Sequence, residues 1–246
     1  MKKFFLPIIL LAFAMAFTAC EEDELGPNEL GGSTNLDYTK PGRVIGAYLN
    51  MNDDVYGVLG NIADSVCITK NDNGIVTTHA QFIMTSSQYR TLDTLLGTYS
   101  LSRDMKNALL DYYKTKLGAV LDTTNKEAVK LSFDMTGKVT SEGIQDFVHS
   151  GGNTSKPFTV VKYSGYVGDT WDFTDDQGKK YTRKVVSKSE TEDYSYGPID
   201  IKTIRVEETG DDDVIEKITY IANHKFGLVG IMVKFKNGKI AKLGLF

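Results

Sequence analysis

Cys20 is the residue with the plainest chemistry in the chain. It follows Met1-Lys2-Lys3, an apolar run from Phe4 to Phe17 interrupted only by Pro7, and then Thr18-Ala19. The run is about fourteen residues long, too short for a permanent bilayer-crossing helix, which needs roughly 20. With two lysines ahead of it, it has the pattern of a secretory signal peptide over residues 1–19, to be left out of fold reasoning. A cysteine immediately behind such a segment offers a thiol for lipid attachment.

Phe17-Thr18-Ala19-Cys20 resembles the bacterial lipobox, an apolar residue and two small ones before the cysteine. The usual first residue there is Leu, so Phe17 is a departure. The resemblance implies a diacylglyceryl group on the Cys20 thiol and later acylation of the freed amine. Each buried methylene contributes about 0.8 kcal/mol, so two or more chains hold a protein stably where one is marginal. An ordinary cleavage after Ala14-Met15-Ala16 is the alternative; it leaves Cys20 free to pair with Cys67, the only other cysteine, in an oxidising compartment. Glu21-Glu22-Asp23-Glu24 follows and resembles the surface-export signal of Bacteroidota lipoproteins. As a bare block of like charge it also reads as a solvated tether. The expected address is the cell envelope, as an outer-membrane lipoprotein displayed at the surface, with the periplasmic face as the alternative.

Other reactive residues show no catalytic spacing. His79, His149 and His224 are far apart, with no H-E-x-x-H and no Cys-x-x-Cys, so no metal site is expected. Asp211-Asp212-Asp213 and Asp172/Asp175/Asp176 lack the calcium-loop pattern and suit turns. No G-x-S-x-G elbow is present, and Cys67 sits in the alternating run Val66-Cys67-Ile68-Thr69, where a small hydrophobe is at home. No catalytic residue and no cofactor is assigned. The aromatic residues give a mild signal: Tyr194 and Tyr196 in the polar loop 190–200, and Trp171 nearby, are candidate ligand-binding residues, because exposed rings stack on sugars and anchor partners. Trp171 also alternates with Phe173 and fits a core position.

Charge and composition narrow the partners. The formal charge is −4, or −6 once Lys2 and Lys3 are removed, which gives no footprint for nucleic acid. Hydrophobic residues make up 41% and aromatic residues 11%, enough for a sizeable core. Residues 20–40 are rich in Gly, Ser, Thr and Asn and read as a flexible tether of roughly 25 Å span, with the folded part beginning near Pro41.

The remaining chain reads as mainly β, of α+β type. Residues 41–150 mix strands (44–49, 66–69, 75–84, 128–135) with one or two helices. Ser102 can cap a helix whose buried stripe is Met105, Ala108, Leu109, Tyr112 and Tyr113 and which Gly118 can end; a second, short helix is expected over Glu142–His149. Residues 151–246 read as an antiparallel meander or half-barrel, with strands at 158–166, 169–173, 179–188, 199–208, 214–222, 228–236 and 240–246. Val229, Ile231, Val233 and Phe235 are expected on one face, and Asn237-Gly238 as a two-residue hairpin turn. The Gly/Ser-rich stretch 150–155 suggests a boundary, although the two regions can share one core.

Val167-Gly168-Asp169-Thr170-Trp171-Asp172-Phe173 and Tyr220-Ile221-Ala222-Asn223-His224-Lys225-Phe226-Gly227-Leu228-Val229, taken with the lipobox and acidic tail, resemble uncharacterised Bacteroidota lipoproteins. They are also weakly similar to periplasmic half-barrel proteins related to lipoprotein carriers. The likeness covers at most residues 157–246 and implies a curved antiparallel sheet; it carries over no site residue. The expected function is a membrane-anchored binding or accessory module whose ligand, a glycan or a protein, meets the loop 190–200. A structural or adhesion component working by protein contacts is the alternative, an enzyme the third reading, and a carrier with an apolar cavity inside the curved sheet the fourth.

Overall fold

The computed structural model describes residues 26, 28–51, 62–85, 114–115 and 117–246. Its strands are β1 (Val44–Met51), β2 (Ile62–Asp72), β3 (Ile75–Thr85), β4 (Val120–Asp122), β5 (Ala128–Thr140), β6 (Gly143–Asp146), β7 (Phe158–Lys162), β8 (Thr170–Thr174), β9 (Lys180–Lys188), β10 (Tyr194–Tyr196), β11 (Ile199–Ile201), β12 (Ile204–Gly210), β13 (Ile215–Asn223), β14 (Gly227–Phe235) and β15 (Ile240–Leu245). All pairings are antiparallel. The main path runs β7-β6-β5-β3-β2-β1-β15-β14-β13-β12-β9-β8, with β4 beside β5 and the β10–β11 hairpin apart. So the protein is mainly β, as the alternating runs predict.

The first strand pairs with the last, Ala47 opposite Leu245 and Met51 opposite Ala241. Residues 41–150 and 151–246 therefore contribute to one sheet, and the Gly/Ser-rich stretch is the β6–β7 connection. A twisted sheet this wide curls, and bulges between β12 and β9, β13 and β14, and β6 and β7 tighten the curl. The two ends of the path, β7 and β8, come side by side without a backbone ladder, giving a nearly closed barrel.

Side chains and an N-terminal strap close that seam. Asn28 donates through Nδ2 to the Asp172 carbonyl in β8 (3.2 Å), accepts at Oδ1 from the Thr159 amide in β7 (3.1 Å), and accepts at its own carbonyl from Gln145 Nε2 in β6. Beyond it, Leu30 is buried at 5% exposure and its carbonyl accepts from Lys138 Nζ. Ser33 bonds Ser141 at the β5–β6 turn, Asn71 Nδ2 bonds Thr39 near the β2–β3 turn, and Tyr38 lies against Gly227 at the β13–β14 turn. Residues 28–40 thus cross one end of the barrel. The tether read over 20–40 is corrected for this stretch, because Leu30 has a core slot and Asn28 completes the ladder at the seam.

Two further expectations change. The helix expected over Glu142–His149 is instead the Ser141-Glu142 turn followed by β6, paired to β5 from Gly137 opposite Asp146 to Thr140 opposite Gly143. The β7 backbone passes so close that a Cβ at Gly143 would fall on the Val161 carbonyl oxygen, so the glycine marks strand contact where a helix would only have been weakened. The Asn237-Gly238 hairpin has a three-residue loop. The Gly238 amide bonds the Phe235 carbonyl, the Phe235 amide bonds Lys239, and only Gly238 takes positive φ, 84°; this is a type I turn followed by a left-handed glycine rather than the two-residue type I′ turn. The helix expected to end at Gly118 lies almost wholly outside the described residues; Lys114, Thr115 and Leu117 are helical.

Candidate functional site

Strand alternation sends one set of side chains into the barrel. Ala47, Val66 and Ala80 cluster with Phe82, Phe133, Leu243 and Leu245 on one side. Ile144, Phe158, Val160, Trp171, Val185 and Val206 cluster at the seam, and Val214, Ile215 and Phe235 form a smaller group. These clusters do not meet. Between them is a cavity of about 340 Å³, lined by every strand of the main path except β8, with Leu117 and the strap residues Tyr38 and Thr39 completing the wall. Most of the wall is aliphatic or aromatic, including Phe133, Met135, Ile218, Ile231, Val233 and Leu243.

One part of the wall is polar. Arg183 on β9 and Glu208 on β12 stand opposite each other in register, both at inward positions, and both are buried. Arg183 Nε donates to Glu208 Oε2 at 2.6 Å, Nη2 to Asp146 Oδ2 at 2.6 Å and to the Tyr220 hydroxyl oxygen at 3.1 Å, and Nη1 to the Phe158 carbonyl at 3.0 Å. The guanidinium also lies over the Phe158 ring, 3.8 Å from its centroid. Glu208 accepts in addition from Tyr220 Oη at 2.9 Å and bonds His149 Nε2 at 2.9 Å. His149 stacks on Tyr181 with ring centroids 3.8 Å apart. Asp146, His149, Tyr181, Glu208 and Tyr220 all line the cavity, as does Gln145, whereas Arg183 sits behind them.

The charges in this group stabilise one another. Burial works against the charged form of Glu208, but the Arg183 guanidinium and the bond from His149 outweigh it and hold the carboxyl down to about 2. Burial likewise disfavours the Arg183 cation, and Asp146 and Glu208 reverse the effect, holding it above its ordinary value. Tyr220 is pushed well above its ordinary value, first by burial and then by the two carboxylates, so it remains a neutral donor. Burial, followed by Asp175 and Asp212, raises Tyr181 to about 12.

A pH dependence follows with a definite sign. The folded-state pKa of Glu208 is depressed from 4.5, so the stability it contributes is complete above 4.5 and is lost as pH falls from there towards 2. The expected loss across this window is on the order of 3 kcal/mol. Urea midpoints measured at steps through it should fall steeply for the native chain, with the part due to this carboxyl missing in Glu208→Gln. A Glu208→Gln curve parallel to the native one would remove Glu208 as the source.

The residues expected to bind a ligand stand apart from this cavity, and Tyr194 and Tyr196 border a separate pocket of about 240 Å³ with Gly197, Leu245 and Phe246. Trp171 is 5% exposed and packs in the seam cluster, as its alternation with Phe173 allows. Tyr194 and Tyr196 belong to β10, which pairs with β11 as a hairpin. The loop 190–200 folds back over the outside of the sheet: Tyr196 stacks on Phe226 at 4.7 Å, and Tyr194 Oη donates to the Val229 carbonyl at 3.2 Å. Val229 is the extra residue of the bulge opposite Ile221 and Ala222. It packs outward with Ile201, Ile221, Tyr194 and Tyr196, while Leu228, Ile231 and Val233 face the cavity. The four residues expected on one face are therefore divided by the bulge. Cys67 is a half-buried free thiol, and Cys20 lies outside the described residues. His79 pairs with Asp134 at the surface and His224 stands in the β13–β14 turn.

Sequence reasoning missed the polar wall, although it left a trace. Tyr181, Arg183 and Val185 share one parity on β9, as do Ile204, Val206 and Glu208 on β12, so each strand has one charge at an otherwise apolar inward position. No protein-family model matches the chain, and no curated protein sequence matches it. The cavity and its polar wall are therefore the ground for assigning a function.

Proposed function

We propose that the protein is a membrane-anchored cell-envelope lipoprotein whose curved sheet binds an apolar small molecule in its interior. The observation that carries this reading is the cavity of about 340 Å³ with a largely apolar wall. Water in it would find few polar partners along most of the wall. An apolar ligand suits that wall, and the volume lies in the range of small-molecule sites. Anchoring through lipid on Cys20 rests on the N-terminal pattern. The likeness to carrier-type half-barrels is supported by the curl of the sheet. Binding at the loop 190–200 loses ground, because Tyr194 and Tyr196 are engaged with the sheet's outer face.

The direct test is organic extraction of the protein purified from its native envelope, followed by mass spectrometry, together with titration by the fluorescent apolar probe N-phenylnaphthylamine. A stoichiometric apolar species or saturable probe binding is expected. Val233→Trp, which puts a larger ring into the cavity from β14, should weaken probe binding about tenfold or more, equivalent to about 1.4 kcal/mol, while circular dichroism stays unchanged. Probe binding unaffected by Val233→Trp, or absent from the native protein, would place the ligand elsewhere and overturn the reading.

A further inference from the structure

The loop between β7 and β8, residues 163–169, holds two apolar side chains in water. Tyr166 is 76% exposed and Val167 62%, and among the described residues they are the only large exposed hydrophobics that adjoin in sequence. The backbone around them is fixed. The Gly165 amide bonds the Lys162 carbonyl at 3.0 Å, the Asp169 amide the Tyr166 carbonyl at 3.1 Å, and the Gly168 amide the Val185 carbonyl at 2.9 Å. Asp169 Oδ2 accepts from the Tyr166 amide at 2.8 Å, and Lys188 Nζ donates to the Tyr163 and Gly165 carbonyls at 3.0 and 3.1 Å. The loop is thus ordered by bonds that present Tyr166 and Val167 outward, and exposed apolar side chains set on a fixed backbone mark a contact surface. A tyrosine ring with its polar tip suits the head-group level of a bilayer. Lys188 Nζ lies 5.8 Å from the Tyr166 ring centroid and adds a positive charge that favours lipid phosphates.

The loop's place in the fold points to the partner. The Tyr163 amide bonds the Glu142 carbonyl at 2.8 Å, so the loop leaves the barrel beside the β5–β6 turn, at the end crossed by the strap. Asn28 bridges Thr159 and Asp172, four and three residues from Tyr163 and Asp169, or roughly 10–13 Å along the strands. Cys20 stands eight residues before Asn28, at most about 28 Å of chain. A lipid on Cys20 therefore keeps this loop near the bilayer, and a contact too weak to hold a free protein suffices for a tethered one. We propose that Tyr166 and Val167 enter the head-group layer of the bilayer that holds the Cys20 lipid, making the β7–β8 loop a second membrane contact and turning the strap end of the barrel to the lipid. This rests on the lipid-anchored reading above and adds the surface that orients the barrel. The end of the cavity closed by Tyr38 and Thr39 then faces the phase in which apolar molecules dissolve.

The test uses the lipidated full chain reconstituted into vesicles of phosphatidylcholine brominated near the head-group end of its chains, with unbrominated vesicles as reference. Tyr166→Trp places a fluorophore on the loop. Val120→Trp places the same fluorophore at a site 60% exposed on β4, which pairs with the half of β5 away from the strap, and so accounts for the affinity of the indole itself. The signal of Trp171, which is buried, is subtracted using the unaltered protein. Bromine is expected to quench Tyr166→Trp and to leave Val120→Trp at the level of the unaltered protein. Adding Val167→Asp to Tyr166→Trp should cut that quenching about threefold or more, because a charge does not enter the layer the valine occupied. Equal quenching at the two sites, or none at Tyr166→Trp in protein that floats with the vesicles, overturns the loop contact and leaves the anchor standing. Native protein that does not float with vesicles sinks the anchor and this contact with it.

Discussion

Arg183→Met is expected to destabilise the protein by about 3–5 kcal/mol in urea unfolding at neutral pH, well above the typical effect of a point substitution. Arg183 is fully buried and bonds to groups in four strands: Glu208 in β12, Asp146 in β6, Tyr220 in β13 and the Phe158 carbonyl in β7. Methionine restores much of the volume, so the cost is not mainly a void. It comes from leaving the buried Glu208 and the largely buried Asp146 without their cation, and from removing the donor to the Phe158 carbonyl. The last contact is at the seam, where no backbone ladder joins β7 to β8. Removing Arg183 therefore acts on barrel closure, and hydrogen exchange should rise in β7 and β8 before it rises in the paired strands β2 and β3. The double variant Arg183→Met/Glu208→Met should cost less than the sum of the two single changes, because each single change strands the other's charge. A loss below about 1 kcal/mol for Arg183→Met would show that the group is solvated and worth no more than a surface pair.

The same residues show what the sequence made legible. Strand positions were readable because period-two alternation needs only local information, and β1, β3, β9, β13, β14 and β15 fall where the alternating runs predict. The turn at Asp72–Ile75 and that at Gly178 were readable from Asn, Asp and Gly chemistry alone. Pairing of the first strand with the last was not, since nothing local at Val44–Leu49 says that β15 is its partner. The bulge at Val229 was hidden for a related reason. One extra residue reverses the parity of everything before it, and the compensation that makes it stable, the Tyr194 hydroxyl on the Val229 carbonyl, comes from a hairpin more than thirty residues away. The Glu142–His149 segment was misread as a helix because Ile144, Phe147 and Val148 fit a helical stripe as well as a short strand and its following loop.

The candidate site was less legible than the fold. A cavity is the space where inward side chains fail to meet, and that depends on how far the sheet curls. Ile218, Ile231 and Val233 look identical in sequence whether they pack on a facing layer or line an opening. The polar wall was the readable part. Arg183 and Glu208 break the apolar parity of their strands, and two opposite charges breaking it on neighbouring strands point to a buried pair. His149 gives no such sign, because a histidine in a loop is an ordinary residue until its bonding partners are known.

Leu30→Ala is the change on which a flexible tether and a docked strap disagree most. In a solvated linker the substitution has almost no effect on stability. Here Leu30 is 5% exposed and lies against Gly143 near the β5–β6 turn, with its carbonyl bonded to Lys138 Nζ, so truncation is expected to cost about 2–5 kcal/mol. The upper part of that range applies if the strap lifts away as a unit, because the Thr159 amide then loses Asn28 Oδ1 and Gln145 Nε2 loses the Asn28 carbonyl at the seam. Urea unfolding measures the loss. Protease digestion tells the two mechanisms apart, since a lifted strap exposes residues 28–40 to cleavage while the barrel is still folded. The strap also covers the end of the cavity lined by Tyr38 and Thr39, so lifting it should speed release of N-phenylnaphthylamine. A destabilisation within about 0.5 kcal/mol, the range of an ordinary surface substitution, would return residues 28–40 to the tether and leave the seam to Arg183 alone.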